Sequence, residues 1–413
     1  MRILVYGINY SPELTGIGKY SGEMAEWLSQ QGHEVRVVTA PPYYPEWKVS
    51  TKYSSLCYRK ELIEGVKVWR CPLWVPRNPS GLKRILHLAS FAISSFPIML
   101  SHIFWRPNII LVVEPPLFCT PTTLITALLC RAKSWLHVQD FEVDAAFDLG
   151  ILKSTWLRRL VLKIESWLMN RFDRVSTISE QMMFQLSNKG VDRNKQVLFP
   201  NWVNIEHIYP LQKPSPYREE LDIPKSSIIF LYSGNMGEKQ GLEIIIESAK
   251  CLAESKNISF VMCGSGATYS HLRDLANGLK NIYWLPLQPL EQLNDLLNMA
   301  DVHLLPQKAD AADLVLPSKL TGMLASGKPI LATALEGTQI AKVLVEAGIV
   351  VPPENTDLFI EAILKLALDE KQRLVLGKKA REYAVEHLGH DAVLRRFEEE
   401  LRAVLSYKKV MSR

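Results

Sequence analysis

At 413 residues, 47% of them hydrophobic, the chain can bury a large core and is long enough for two domains or more. Its formal net charge of +5 fits attraction to phosphate-bearing ligands or an anionic membrane surface, and is too small and too dispersed to indicate a nucleic-acid-binding protein. The cysteines (Cys57, Cys71, Cys119, Cys130, Cys251, Cys263) form no C-x-x-C pair, so neither a zinc site nor a disulfide framework is indicated and a reducing cytosol is the expected setting.

The apolar run of "MRILVYGINYSPEL" is too short for a signal peptide and reads as a first strand, "RILVYG". A glycine-bearing loop follows, then a helix with Tyr20, Met24, Trp27 and Leu28 on one face, closed by Gly32, and a second strand, "EVRVVTA", completing a βαβ unit. The glycines Gly16, Gly18 and Gly22 superficially match a dinucleotide fingerprint, but their G-x-G-x-x-x-G spacing carries one residue too many. A loop of about eight residues separates Gly16 from its strand, and Thr39 and Ala40 stand where a ribose-binding acid is required. What remains is a strand, a glycine loop and a helix whose N-terminal amides can receive an anion. Further strands are expected at "KVWRCPL", "NIILVVEPP", "KSWLHVQD", "RVSTIS" and "QVLFPNWV".

Two stretches of this half stand apart. Residues 85–105 have about the length of a bilayer span but contain His87, His102, Pro97 and several serines. The readings open are a spanning helix, a buried helix pair broken near Pro97, and a membrane-surface element behind Lys83 and Arg84. Residues 152–172 set Arg158, Arg159, Lys163 and Arg171 beside Trp156, Leu160 and Trp167, which suits either an anionic lipid interface or a solvated helix face.

Residues 209–227, rich in proline and charge, read as a linker between an N-terminal domain, 1–208, and a C-terminal one, 228–385. A second alternation then runs through "IIFLYSG", a helix from Gly241, "ISFVMCGSG", "NIYWLPL", "DVHLLPQ", a helix from about Pro317 and "KPILAT". Residues 386–413 read as a C-terminal helix that returns to the N-terminal domain. Alternating strands and helices imply α/β domains with parallel sheets, and ligands at the carboxyl ends of the strands.

"YSPELTGIG", "LSQQGHEVRVVT" and the distant "LLPQ…PSKLTGMLASGKPILAT" resemble the two signatures of retaining family 4 glycosyltransferases. "GINYSPELTGIGKY", "TAPPYYPEW", "VWRCPLWVP", "LHVQDFEVDAA", "SGNMGEKQGLE" and "LPSKLTGMLASG" are similar to the fucosyltransferases of colanic acid biosynthesis within that family. The resemblance implies the GT-B fold, two Rossmann-like parallel-sheet domains facing across a cleft. It implies a nucleotide-sugar donor, GDP-fucose, on the C-terminal domain and an undecaprenyl-diphosphate-linked oligosaccharide acceptor on the N-terminal one, with retention of anomeric configuration. The setting it implies is the inner face of the cytoplasmic membrane, in exopolysaccharide synthesis. It also implies no cofactor and no metal, consistent with the lack of a D-x-D motif or a histidine cluster with ligand spacing.

Without a divalent ion, cationic side chains and helix N-termini must stabilise the departing diphosphate. The family's usual Arg and Lys positions are occupied by Asn235 and Gln240, leaving Lys319 of "PSK" as first candidate and Lys239 as second. Ser318 adds a hydrogen-bonding group at a helix start, unless Pro317 and Ser318 only cap it. Asn235, Gly237 and Gly264 complete the expected phosphate-binding set. The family's paired glutamates align with Leu314 and Gly322, so Asp313 or Asp310 is expected toward the donor sugar. Gly16 matches the second glycine of the family's G-G loop, with Thr15 at the first; Gly16 and Gly18 are expected to admit the donor diphosphate because they lack a β-carbon. At the end of "LHVQDFEVD", Asp140 is the candidate to orient the acceptor hydroxyl, with His137 and Glu142 beside the acceptor, or His137 in a packing role. Two rival readings are a nicotinamide-dependent oxidoreductase or sugar epimerase, and a catalytically silent GT-B binding partner.

Overall fold

The apolar runs become strands of two separate sheets, and the amphipathic stretches between them become helices. The computed structural model describes every residue except 14–15, 78–80, 142, 144–154, 310–316 and 411–413. The chain divides into two compact units, Met1–Pro200 with Leu394–Arg413, and Asn201–Val393.

In the first unit, β1 (Arg2–Tyr6), α1 (Gly16–Gln30) and β2 (Glu34–Thr39) form the expected βαβ unit, followed by β3 (Arg59–Ile63), β4 (Val66–Arg70) and α2 (Gly81–Ser101). The chain continues through β5 (Ile109–Glu114), α3 (Thr120–Cys130), β6 (Lys133–Val138), α4 (Thr155–Met169), β7 (Arg174–Thr177), α5 (Glu180–Asn188) and β8 (Gln196–Leu198). The sheet order is β3-β4-β2-β1-β5-β6-β7-β8, parallel except for β3, which pairs antiparallel with β4. All six residues of β5 are buried, as expected of a central strand covered on both faces. The chain order reverses between β1 and β5, so the loop after β1 opens at a topological switch point, where α/β sheets place ligands.

Helix α2 runs unbroken through Pro97, so the expected break there does not occur. Pro97 and Ile93 both lie on the exposed side, where the Ile93 carbonyl deprived of its amide partner can take solvent. By length and composition Gly81–Phe104, with mean hydropathy 1.4, is apolar enough to cross a membrane. One of its faces is fastened to the sheet: Ser95 Oγ lies 2.6 Å from Tyr6 Oη, and the Phe91 ring packs 5.7 Å from the ring of Tyr6.

In the second unit, α6 (Tyr217–Glu220) precedes a regular alternation of β9 (Ile228–Ser233), α7 (Glu243–Cys251), β10 (Ile258–Cys263), α8 (Tyr269–Leu275) and β11 (Ile282–Leu285). There follow α9 (Leu293–Met299), β12 (Val302–Leu305), α10 (Ser318–Ala325), β13 (Ile330–Thr333), α11 (Gln339–Leu344), β14 (Gly348–Val351), α12 (Thr356–Leu368) and α13 (Glu370–Tyr383). The sheet is parallel, in the order β11-β10-β9-β12-β13-β14, with its switch point between β9 and β12.

The stretch 209–227 is packed rather than extended. Tyr217 and Ile223 are buried with Ile229, Leu231 and Val261, and the Tyr209 and Leu211 amides donate to Asn294 and Asn298 of α9 at 3.0 and 2.9 Å. It belongs to the second unit, whose boundary falls after Pro200. The last helix, α14 (His390–Val410), carries Phe397 into the first unit, stacked at 3.9 Å on Phe199, and Glu398, which accepts from His33 Nε2 at 2.8 Å.

Candidate active site

In the first unit the candidate residues gather at the carboxyl edge of the sheet. Gly16 opens α1 with φ +62°, a left-handed conformation that glycine adopts at low cost. Among the described residues a β-carbon there would meet only Tyr44 Cε1, at an ordinary 3.6 Å, while the left-handed backbone conformation itself favours glycine. Gly18 differs. Its bare side faces Glu13, whose Cβ would stand 2.7 Å from an added β-carbon, so the space expected to admit a phosphate is filled by a protein side chain. Gly22 is bare for a similar reason, against Ser11.

Glu13 was not among the sequence candidates. It is buried; its Oε1 accepts from the Tyr43 and Tyr44 amides at 3.1 Å each, and its Oε2 from Asn9 Nδ2 at 2.9 Å. Burial pushes its carboxyl pKa above the ordinary value, partly offset by these hydrogen bonds. Arg70, also buried, donates to the Ala40 carbonyl at 2.9 Å, to the Ser11 carbonyl and to Glu61 at 2.7 Å. Glu13 and Arg70 together tie the loops after β1 and β2, and so fix the surroundings of Gly16.

Further along the same edge, β5 ends in the buried Glu114 and β6 runs into Asp140. Glu114 pairs in register with Val138, two residues before Asp140, which is exposed. His137 is a core residue: its Nε2 accepts from Gln139 at 2.9 Å, its Nδ1 lies 2.9 Å from Ser176 Oγ, and its ring packs on Phe199. Complete burial lowers its pKa to about 3, so it stays neutral. The packing role is therefore the one observed, and the acceptor-side expectation for His137 is withdrawn. Glu142 lies outside the described residues.

In the second unit the loops after β9 and β10 meet backbone to backbone. Gly234 and Gly264 have φ +136° and +141°, and a β-carbon on Gly264 would overlap the Gly234 carbonyl oxygen. Lys319, in the first turn of α10, lays its side chain along Gly234 and sets Nζ 4.2 Å from the ring centroid of Tyr232, the penultimate residue of β9. Tyr232 in turn donates from its hydroxyl to the Asn235 carbonyl. Lys319, Asn235 and Gly264 are thus brought together at the switch point. Gly237 stands at the turn beyond, where its amide donates at 3.0 Å to Gln240 Oε1, so the residue at the family's lysine position serves as a turn cap. Lys239 and Ser318 are exposed, and Pro317 contributes no side-chain cap to α10. Asp310, Asp313 and Leu314 lie outside the described residues. Among the described residues no group of three or more His, Cys, Asp or Glu side chains is placed to hold a metal ion.

Residues 15–202 match the glycosyl transferase 4-like domain and residues 215–383 the glycosyl transferases group 1. Over 97% of this chain and 100% of the relative, the sequence is 45% identical to an Escherichia coli (strain K12) protein provisionally named colanic acid biosynthesis glycosyl transferase WcaI. Sucrose-phosphate synthase from Thermosynechococcus elongatus shares the fold, with TM-score 0.73 over 98% of this chain and 100% of that one, at 16% identity. So does Anabaena HepE, solved in complex with UDP and glucose, with TM-score 0.67 over 97% and 99% of the two chains, at 13% identity. The chain belongs to the glycosyltransferases of GT-B fold that join a glycosyl transferase 4-like domain to a group 1 domain.

Proposed function

We propose that the protein is a retaining glycosyltransferase that moves fucose from GDP-fucose to a lipid-linked oligosaccharide in the synthesis of a colanic-acid-like exopolysaccharide. The observation that carries this reading is the position of the Lys319 ammonium at the carboxyl end of β9, against the glycine loops Gly234 and Gly264. The ammonium and the first amides of α10 supply positive charge where the leaving phosphate gains negative charge. Transfer is front-face. The sugar–phosphate bond loosens, the acceptor hydroxyl attacks from the same side, and the leaving phosphate oxygen takes its proton. The protein then positions and neutralises more than it exchanges protons, which suits a site with few carboxylates. Asp140 orients the acceptor hydroxyl, and the Gly16 loop approaches the donor diphosphate.

The enzyme works as a peripheral protein on the inner face of the cytoplasmic membrane. Support comes from α4, which turns Trp156 (67% exposed), Leu160, Ile164 and Trp167 (56% exposed) to solvent among Arg158, Arg159 and Lys163. A stripe of two tryptophans and two aliphatics uncovered among cations supports this reading over an ordinary solvated face.

A panel of nucleotide sugars, read by thermal shift and then by turnover with a lipid-linked acceptor, tests the donor. GDP-fucose at a hundred times its dissociation constant stabilises by about 3 kcal/mol. A shift with another nucleotide sugar and none with GDP-fucose overturns the fucosyl reading, and donor binding without turnover supports a silent binding protein. The anomeric configuration of the product, read by NMR, tests retention.

A further inference from the structure

The outer face of the β3–β4–β2 edge gathers cations around indoles, away from the carboxyl edge that holds the candidate active site. Register places Arg36 beside Lys67, and Trp69 opposite Lys60. Strand alternation turns Lys67 and Trp69 outward while Val66, Val68 and Arg70 face the core. A cavity of about 470 Å³ opens there, lined by Arg36, Lys60, Lys67 and Trp69 with Glu61 and Val68. The Arg36 guanidinium lies 4.1 Å from the ring of Trp105 and 5.3 Å from that of Trp69, and Lys60 Nζ lies 5.1 Å from Trp69.

The positive charge here is poorly compensated. Glu61 spends its carboxylate on Arg70 at 2.7 Å and Arg59 at 3.5 Å. Glu34 accepts from Trp105 Nε1 at 2.8 Å and reaches Arg36 only at 3.4 Å. Among the described residues Lys60 and Lys67 make no ion pair. Arg36 Nε is buried and lacks a hydrogen bond, and the ring of His102 sits edge-on to Trp69 at 4.7 Å. Converging cations with a buried unsatisfied guanidinium N–H are a costly arrangement that an anion relieves.

The surroundings say which anion. Phe104, 91% exposed, adjoins Trp105, and α2 behind it turns Leu82, Leu86, Ile93 and Phe96 to solvent without one acidic residue between Gly81 and Trp105. A phosphate site at the end of an uncovered apolar stripe matches a headgroup whose acyl chains lie under that stripe. We propose that the Arg36–Lys60–Lys67–Trp69 cavity binds the phosphate of an anionic membrane lipid. This rests on the peripheral-membrane reading and gives it a specific headgroup contact.

The test is co-sedimentation of the full chain with phosphatidylglycerol–phosphatidylcholine vesicles, comparing wild type, Lys60→Gln with Lys67→Gln, and a control with the same charge change in the second unit, Lys225→Gln with Lys371→Gln. The first pair is expected to lose about twenty-five-fold in partitioning, about five-fold for each lysine near an anionic surface, while the control stays within two-fold. A third variant, Arg36→Lys, keeps the charge but loses the planar fork between two indoles, and it too should partition more weakly. If wild type binds and the Lys60/Lys67 pair behaves as the control does, the headgroup site is overturned and the membrane reading stands. If wild type does not bind, both fall. Titration with inorganic phosphate separates the sources: stabilisation of wild type but not of the Lys60/Lys67 pair, with vesicle binding unchanged between them, assigns the cavity to a soluble anion and overturns the lipid.

Discussion

Glu13 occupies the space that Gly18 leaves empty, and from there holds the two amides that open the loop after β2. Gly18→Ala is therefore a packing lesion. The methyl has no room, and displacing Glu13 disturbs three hydrogen bonds, so a loss of about 1–3 kcal/mol is expected in denaturant unfolding. An alanine variant as stable as wild type would mean that Glu13 moves aside freely.

Glu13 also has a pH signature. Its folded pKa is raised by burial, so the folded state holds a proton that the unfolded state has released. Stability from this group is greatest below the ordinary carboxylate pKa and declines as pH rises through the window up to the raised folded value. Glu13→Gln keeps the shape and abolishes the titration, so the wild-type and variant stability curves should diverge across that window and run parallel outside it. Parallel curves throughout would show that the hydrogen bonds from Asn9, Tyr43 and Tyr44 outweigh burial.

Lys319→Ala should lower kcat at saturating donor by about 10²–10³-fold, the range for removing one charge-stabilising group from a transition state. It should leave the melting temperature nearly unchanged, because Lys319 lies over Tyr232 without filling the core. Lys239→Ala, at an exposed turn position, should stay within a few-fold of wild type. Equal losses for the two would point to a general field and not to a phosphate contact.

Arg158→Glu with Arg159→Glu should release the protein from anionic vesicles at low salt while leaving the nucleotide-sugar thermal shift intact. Raising the salt should weaken wild-type binding only partly, because the stripe of Trp156, Leu160, Ile164 and Trp167 adds an apolar contribution that salt does not screen.

The central strands were legible because a strand covered on both faces must be apolar throughout: "RILVYG", "NIILVVEPP" and "ISFVMCGSG" could hardly be anything else. The edges were not. "RKELI" of β3 shows one face to solvent and mixes charge with Leu62 and Ile63, and "GIVV" of β14 is only four residues long. The linker expectation failed because proline and charge mark turns but do not report that Tyr217 and Ile223 anchor the turns to a core. At the site, Lys319 was legible from its neighbours in "PSK". Glu13 was hidden because Tyr43 and Tyr44, whose amides it accepts, are distant in sequence, whereas the acid closing the apolar run "NIILVVE" was a readable sign that a charge is wanted at that strand end.

The last prediction separates conformation from contact at Gly16. With φ +62° and, among the described residues, only Tyr44 Cε1 near a would-be β-carbon at 3.6 Å, alanine fits by volume against them and is penalised by backbone conformation, about 1 kcal/mol. Valine adds β-branching to the same strained φ and should cost more. If the loop approaches the donor diphosphate, Gly16→Ala stays folded, keeps its affinity for free nucleotide through the second unit, and loses most transfer activity because its methyl stands where a phosphate oxygen must come. Circular dichroism, a nucleotide titration and turnover together decide it. A folded, nucleotide-binding Gly16→Ala protein with full turnover would mean that the left-handed φ serves only to start α1 and that a methyl there does not obstruct the diphosphate.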